Sequence, residues 1–305
     1  MGWEANLIEW LQNSLGDLCD LFGKVFSFFG GETGLLALFV IVLFCWKKEM
    51  GQKLALIFAS LIAWFGMIKA VVMRPRPYVE YPDKVQALAP VNPEASPTDV
   101  VAQGFSFPSM HSGSVAASYL TLAREIKKRW FWVIAIALTL LVGFSRMVTG
   151  NHYPTDVLAG WLLGLVVIGI FELLERYVKK EWVRHLILLA TILPGLFFVR
   201  TDDYYTALGL LIGAVVAIPF ERKFVDFQDT RNIWAMILRV IGAFAIYFVL
   251  NTLLKMPFSP DFLGSGSLSA LLVRTGRYAV IIFAIMGLYP KVFPLFEKLG
   301  KRSTK

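Results

Sequence analysis

Two of the three histidines in this sequence lie in polar clusters that suit chemistry on a phosphate group. His111 follows a Pro-Ser-Met tripeptide, and His152 lies within the polar segment 145–156. Another cluster runs from Lys69 to an Arg-Pro dipeptide that begins at Arg76. In chain order, the Lys69 cluster is the first, the His111 cluster the second and the His152 cluster the third. Cations and helix-start amides can hold a phosphate group, one histidine can attack its phosphorus atom, and another can protonate the leaving oxygen. The three clusters therefore predict a site for phosphoryl transfer.

The elements that must position these clusters are predicted to be membrane helices. Of the 305 residues, 57% are hydrophobic and 17% are charged, and the mean hydropathy is +0.62. A typical soluble domain is about 45–50% apolar and about 25% charged. The composition therefore excludes a soluble globular protein and a disordered one. Cys19 and Cys45 form no spaced pair, so the sequence predicts neither a disulfide framework nor a thiolate metal site.

Nine apolar runs approach the length of a membrane-spanning helix, which is about 20 residues. The first, third and sixth runs are short. The runs cover residues 33–46, 54–73, 112–122, 130–148, 155–177, 186–199, 205–220, 233–254 and 268–289. The sequence therefore predicts an all-α, polytopic integral membrane bundle with about nine transmembrane spans.

The chain divides into three predicted regions. Over residues 1–30, apolar residues recur at helical spacing with acidic residues between them, which is typical of an amphipathic helix in the membrane interface. Residues 31–180 contain the three polar clusters and form the predicted core. Residues 181–305 form a C-terminal transmembrane extension whose role the sequence does not indicate.

The distribution of basic residues predicts the orientation of the chain. The net charge of +8 falls in short segments between apolar runs rather than on one polar face, which argues against a nucleic-acid partner. Most lysines and arginines lie in the C-terminal tail and in the loops after the first, third, fifth and seventh runs, and such a bias marks the cytoplasmic side. We therefore expect a cytoplasmic C-terminus and an extracytoplasmic location for the three clusters.

The three clusters resemble the motifs of the type 2 phosphatidic acid phosphatase superfamily, which includes lipid phosphate phosphatases, glucose-6-phosphatase and vanadium haloperoxidases. The family pattern is K-x(6)-R-P, then P-S-G-H, then S-R-x(5)-H-x(3)-D. In this sequence the blocks are 69–77, 108–111 and 145–156, with the same order and internal spacing. The one departure is Met110, where the family usually has glycine; the methionine amide can still donate to a phosphate oxygen. With the helices that flank the motifs, the resemblance covers roughly residues 54–177.

The resemblance implies a role for each matched residue. His152 resembles the nucleophile that forms a phosphohistidine, and Asp156 would hold its other ring nitrogen. His111 would protonate the departing alkoxide and then activate water. The groups that would bind the phosphate oxygens are Lys69, Arg76, Ser109, Met110, Ser145 and Arg146. No metal or other cofactor is implied, because the cations supply the positive charge.

Each of these residues also has an ordinary structural explanation when it is taken alone. A lysine near a helix end commonly extends its stem along apolar surface, and a histidine or aspartate commonly caps a helix. Three blocks in a fixed order favour the catalytic interpretation. Arg74 is also followed by proline, and only the spacing from Lys69 selects Arg76.

We therefore expect an integral membrane phosphatase, in a bacterial plasma membrane, that hydrolyses a lipid-linked phosphate monoester or diphosphate. Two alternatives remain open. The count of nine spans resembles the glucose-6-phosphatase and sphingosine-1-phosphate phosphatase branches, so a soluble sugar phosphate is a possible substrate. A transporter would also contain intramembrane charges, but the sequence has no inverted repeat.

Three arginines lie within apolar runs and could serve function or structure. Intramembrane cations suggest function by default. Arg274 and Arg277 could reach a lipid headgroup or pair with carboxylates, and structure is slightly favoured. Arg239 could pair with Glu172 or Glu175, whereas His185 is expected in a cytoplasmic loop with a structural role. The carboxylates that could pair with Arg274 and Arg277 are those of Asp202, Asp203 and Asp261.

Overall fold

The computed structural model describes residues 2–301, and this part of the chain is helical without β-strands, which confirms the predicted all-α class. Short π segments occupy Val42–Trp46 and Ala284–Leu288, and 3₁₀ segments occupy Leu193–Phe197 and Tyr289–Val292. The α-helices are α1 (Gly2–Leu15), α2 (Leu18–Gly30), α3 (Glu32–Ile41), α4 (Lys48–Val72), α5 (Pro77–Glu80), α6 (Val100–Gln103), α7 (Met110–Ile126), α8 (Arg129–Val148), α9 (Pro154–Tyr177), α10 (Glu181–Ile192), α11 (Asp202–Phe224), α12 (Ile233–Leu253), α13 (Pro260–Gly264), α14 (Leu268–Phe283) and α15 (Phe293–Lys301).

Six helical stretches among residues 2–301 are long and apolar enough to cross a membrane. They contain α4, α8, α9, α11, α12 and α14, and the bent pair α2–α3 would make a seventh. The predicted count of nine is therefore not confirmed. Helix α7 has 17 residues, and α10 has 12 residues before the chain turns into a 3₁₀ segment that contains Pro194. Both are shorter than the roughly 20 residues that span a bilayer.

The N-terminal region forms two helices, so the prediction of one amphipathic helix over residues 1–30 is wrong. Gly16 separates α1 from α2 and has a φ of +52°, a left-handed conformation that glycine adopts without the steric cost of a Cβ atom. Helix α1 is amphipathic: Ala5 and Ile8 are buried, whereas Trp3 is 61% exposed and Trp10 is 62% exposed. The apolar periodicity continues through the break, which is why it suggested a single helix.

The described chain forms two compact units, and the divisions between them fall inside α3, α4 and α9. The first unit comprises the residues up to Leu35 together with Trp64–Leu174. In this unit α1 packs against the long segment that follows α4, and it shares with that segment a small apolar core. The core residues are Ala5, Ile8, Tyr78, Val85 and Tyr153. This packing fixes the N-terminal helix next to the segment that joins the first and second clusters, and next to Tyr153 of the third cluster.

The second unit comprises Leu36–Ala63 and the residues from Glu175 onward. In it, α11 and α14 pack with their backbones in close contact. A Cβ atom on Gly209 would lie 2.4 Å from the Thr275 carbonyl oxygen, and one on Gly213 would lie 2.6 Å from the Ala279 carbonyl oxygen. Small residues between membrane helices commonly allow the helix backbones to approach this closely.

Most of the charged side chains near the apolar runs have partners. The suggested pairing of Arg239 with Glu172 or Glu175 is wrong, since both glutamates bind other cations. His185 is buried within α10 and does not lie in a loop. The observed pairs are Arg239 with Glu297, Glu172 with Arg124, Glu175 with Lys53, and Arg274 with Asp202.

Candidate active site

The first cluster lies where α4 ends and the chain turns back beside it. Lys69 is in the last turn of α4, and its Nζ donates hydrogen bonds to the carbonyl oxygens of Phe105 at 2.6 Å and Ser106 at 3.1 Å. Arg76 is buried, and its Nε donates to the Gln103 carbonyl oxygen at 2.8 Å. The backbone carbonyls of segment 103–106 therefore hold both cations in place.

The third cluster occupies the end of α8 and the turn that leads into α9. Ser145 and Arg146 lie in the last turn of α8 and are buried. The His152 amide donates to the Arg146 carbonyl oxygen at 3.1 Å, which folds the turn back onto the helix end. Arg76 donates from Nη1 to the Asn151 carbonyl oxygen at 3.1 Å, and this same Nη1 lies 3.5 Å from His152 Nε2. The first and third clusters thus meet at the His152 ring.

His152, in the turn before α9, faces Asp156, in the first turn of α9. His152 Nδ1 lies 3.6 Å from Asp156 Oδ2, longer than a hydrogen bond, and this Nδ1 has no hydrogen-bond partner in the described part of the chain. Asp156 Oδ2 also accepts the Tyr153 amide at 2.8 Å. Catalytic hydrogen bonds are often long before the substrate is bound and shorten in the reacting complex. The geometry can therefore support an aspartate that orients the imidazole.

The surroundings keep the His152 ring uncharged. The side chain is buried, and burial lowers the pKa of His152 well below its ordinary value; the positive charges of Arg76, Lys69 and Arg146 lower it further. A neutral imidazole has a lone pair on one nitrogen. The site therefore combines a nucleophilic nitrogen with three nearby cations.

The second cluster lies at the start of α7. Ser109 precedes the first turn, and its amide donates to the Asp156 carbonyl oxygen at 3.0 Å, which joins α7 directly to α9. The Ser109 hydroxyl lies 2.9 Å from that of Ser112. Met110 is the first helical residue and is half-buried. The first amides of an α-helix have no intrahelical acceptor and are well placed to bind an anion.

His111 lies against the end of α2. A Cβ atom placed on Gly31 would lie 3.5 Å from His111 Nε2, and one on Gly30 would lie 3.1 Å from the His111 carbonyl oxygen. The side chain is half-buried. Helix α2 also contributes Ser27, whose hydroxyl accepts a hydrogen bond from Arg146 Nη1. Helix α2 therefore contacts the second and the third clusters.

The structure also places a residue of α1 beside the site, and no local pattern in the sequence indicates this residue. Glu4 is buried, and its carboxylate binds Arg74 Nη2 at 2.6 Å. Arg74 Nη1 in turn binds Asp156 Oδ1 at 2.8 Å, and the guanidinium lies 3.7 Å from the centre of the Tyr153 ring. Glu4 also accepts a hydrogen bond from the Thr155 hydroxyl at 2.7 Å. Arg74 and Glu4 thus support Asp156 from the side away from His152.

Comparison with known proteins shows the family to which the chain belongs. A model of the PAP2 superfamily matches residues 52–180, and a model described as the transmembrane extension of PAP2 superfamily phosphatases matches residues 205–302. The undecaprenyl-diphosphatase BcrC of Bacillus subtilis is 31% identical over 46% of this chain and 68% of its own length. The chain belongs to the PAP2 superfamily. This membership confirms the family predicted from the three clusters, and with it the predicted class of enzyme, a membrane phosphatase.

Other PAP2 relatives have related activities. The undecaprenyl-diphosphatase of Sulfolobus acidocaldarius is 32% identical over 41% of this chain, and the match spans 55% of that relative. The phosphatidylglycerophosphatase B of Bacillus subtilis is 29% identical over 50% of this chain and 72% of its own length. No solved structure matches the chain.

Proposed function

We propose that this protein hydrolyses a phosphate monoester or diphosphate on the headgroup of a membrane lipid through a phosphohistidine on His152. The observation that carries the proposal is the position of its ring. His152 Nε2 lies 3.5 Å from Arg76 Nη1, while Nδ1 faces Asp156. A phosphate group held by Arg76 would therefore lie next to the nucleophilic nitrogen, with the carboxylate behind the ring.

In the first step, the Nε2 lone pair of His152 attacks the phosphorus atom. A phosphorus–nitrogen bond forms, and the bond between phosphorus and the leaving oxygen breaks. Burial lowers the pKa of His111 as well, and so do the cations of the site, but the negative charge of the bound phosphate offsets those cations. In that complex the protonated His111 donates its proton to the leaving oxygen, so the lipid leaves as a neutral alcohol or as a monophosphate. The imidazole of His152 gains positive charge in this step, and the carboxylate of Asp156 stabilises it.

In the second step, the neutral His111 accepts a proton from a water molecule as the water oxygen attacks the phosphorus atom. The phosphorus–nitrogen bond breaks, inorganic phosphate leaves, and His152 returns to its neutral form. The same residue thus acts as acid and then as base.

The positive groups around the ring stabilise the charge on the transferred phosphate. Arg76 and Arg146 suit paired hydrogen bonds to phosphate oxygens, and Lys69 supplies a compact positive charge. Ser109 and the amide of Met110 supply further donors at the start of α7, while Ser145 supports the helix end that carries Arg146. Because these cations neutralise the phosphate, the proposed reaction needs no divalent metal.

A lipid substrate is supported by the relatives and by the membrane helices. The names of the relatives refer to undecaprenyl diphosphate, phosphatidylglycerophosphate and, for a Bacteroides thetaiotaomicron protein, lipid A. The common chemistry is a phosphate at the polar end of a membrane lipid. We place the site at the extracytoplasmic face of the plasma membrane on the distribution of basic residues. The span count that favoured a glucose-6-phosphatase-like enzyme is not confirmed, so a sugar phosphate substrate loses that support.

The test is phosphate release by the purified full chain in detergent, with a panel of lipid phosphates, lipid diphosphates and glucose 6-phosphate. We expect release from at least one lipid substrate, undiminished by EDTA and inhibited by vanadate, which adopts the geometry of the transferred phosphate. Release from glucose 6-phosphate alone would contradict the lipid assignment. Loss of all activity in EDTA with recovery in magnesium would contradict the metal-free mechanism.

A further inference from the structure

The second unit contains a cavity of about 560 Å³ beside the point where α12 ends and α14 begins. Three cations line it, namely Lys255, Arg274 and Arg277. Its apolar lining includes Phe258 and Leu263. We call this cavity the basic pocket. No residue of the three motifs lines it.

Arg277 is the buried cation of the basic pocket. It is 6% exposed and lies in a helix that is long and apolar enough to cross a membrane. Its Nη2 donates to Asn251 Oδ1 at 2.8 Å, while its Nε is buried without a hydrogen-bond partner in the described chain. No carboxylate of the described residues forms an ion pair with it. A buried cation that donates to a neutral amide and forms no ion pair among the described residues is costly, and an anion that entered the pocket would offset that cost.

The other two cations leave the basic pocket with an excess of positive charge. Arg274 forms an ion pair with Asp202, whereas Lys255 is exposed and forms no ion pair among the described residues. Three positive charges therefore face one carboxylate. A site with this positive charge binds anions. The planar guanidinium groups of its arginines can form paired hydrogen bonds with phosphate oxygens, which favours a phosphate group.

The position and the apolar lining indicate that the anion belongs to a lipid. Helix α12 ends at Leu253 and α14 begins at Leu268, so the basic pocket lies at the ends of two helices that are long and apolar enough to cross a membrane. The headgroups of a bilayer crossed by these helices would lie near those ends. Met256 lines the cavity and is 72% exposed, next to the apolar faces that would contact acyl chains. Basic pockets between transmembrane helices are known sites for anionic headgroups.

We propose that the basic pocket binds the phosphate of an anionic membrane lipid, with Arg277 as its buried ligand. This site lies in the transmembrane extension and does not depend on the proposed phosphatase reaction. Bound lipid would offset the charge of Arg277 and join the ends of α12 and α14 through one headgroup.

The test is a thermal unfolding titration of the purified full chain in a neutral detergent, with a short-chain phosphatidylglycerol as the probe. Because the lipid binds the folded chain, it should raise the unfolding temperature in a saturable way. In Arg277→Gln the apparent affinity should fall by at least about tenfold, since charge-assisted hydrogen bonds are lost. In Lys255→Gln, where the cation is exposed, it should fall about two- to fivefold.

Matched controls separate this site from general charge effects. Lys223→Gln removes one exposed cation from α11, outside the basic pocket, and should keep the wild-type affinity. Phosphatidylcholine of the same chain length shows whether binding requires a net negative charge on the lipid. Inorganic phosphate shows whether the anion binds without a lipid tail. Both should give a much smaller shift than phosphatidylglycerol.

Two results would overturn the proposal. Equal affinity of wild type and Arg277→Gln for phosphatidylglycerol would place the lipid elsewhere, the catalytic site included. An equal shift with inorganic phosphate would overturn the assignment to a lipid. If Arg277→Gln does not fold, Arg274→Gln and Lys255→Gln decide instead, and wild-type affinity in both would contradict the proposal. Phosphatase activity does not enter these measurements, so failure of the proposed function would leave them unchanged.

Discussion

At the scale of single residues, two arginines that each precede a proline have different surroundings. Arg76 lies beside the His152 ring, whereas Arg74 binds the carboxylates of Glu4 and Asp156. The first can therefore act on the phosphate and on the pKa of the nucleophile. The second binds the carboxylate behind the ring and acts through Asp156, as a positioning residue.

The lowered pKa of His152 predicts the pH dependence of the reaction. The neutral imidazole persists as the pH falls through the ordinary histidine range, about 6.5, because burial and the cations disfavour its protonated form. We expect the acid limb of kcat/KM against pH to lie below that range. In Arg76→Gln one cation is lost, so the pKa of His152 rises and the acid limb moves to higher pH. Both proteins are measured with the same substrate, so the titration of the substrate affects both profiles equally. Acid limbs at the same pH in the wild type and in Arg76→Gln would contradict this explanation.

Glu4 is predicted to support catalysis although it belongs to the N-terminal helix. Glu4→Gln removes the charge that holds Arg74 against Asp156. Outer partners of metal ligands position those ligands in a comparable way, and their loss costs about 10–100-fold in activity or metal affinity. We expect about a tenfold fall in kcat with little change in KM. Glu9→Gln, on the same helix and without an ion pair among the described residues, is the control. A matching fall in both variants would indicate damage to α1 and no positioning role.

At the scale of helices, the contact between α7 and α9 brings the second cluster to the third. The Ser109 amide binds the Asp156 carbonyl oxygen at 3.0 Å, and a Cβ atom on Gly160 would lie 2.5 Å from the Ser109 carbonyl oxygen. Backbone atoms cannot move aside as a flexible side chain can. The close approach of these two helices therefore requires glycine at position 160.

Gly160→Ala is predicted to separate the start of α7 from α9. Overpacking of this kind costs about 1–3 kcal/mol, and Ser109 would move with the helix start, so activity should fall more than stability alone explains. The same helix contains a matched control, Gly169, where an added Cβ atom meets nothing within 4 Å. Gly169→Ala should keep activity. Thermal unfolding and phosphate release of both variants test this, and full activity in Gly160→Ala would refute it.

The helices also show which features the sequence could predict. Spacing within the chain identified the residues of the three clusters, because each block is local. The contact between Glu4 and Arg74 joins residues far apart in the sequence, and an acidic residue on an amphipathic helix has no local signal for it. The break at Gly16 was missed for a similar reason, since the apolar periodicity continues on both sides. Three short apolar runs were counted as spans although they fall below membrane length on their own.

At the scale of the whole molecule, the orientation in the membrane is a prediction from the basic residues. It is tested by labelling with a membrane-impermeant maleimide after Cys19 and Cys45 are replaced. A cysteine introduced at Ala95, between α5 and α6, should react in intact cells. A cysteine introduced at Ser303, which lies outside the described residues, should react only after lysis. The reverse pattern would place the motif loops in the cytoplasm.

The proposed reaction depends most directly on a covalent phosphate at His152, and a quench experiment measures that phosphate. The full chain is mixed rapidly with a substrate that carries a radiolabelled phosphate, quenched without acid, and mapped by peptide mass spectrometry. We expect label on His152 in the wild type and none in His152→Ala, together with loss of turnover. Wild-type labelling in His152→Ala, or turnover of the wild type with label on another residue, would contradict the account.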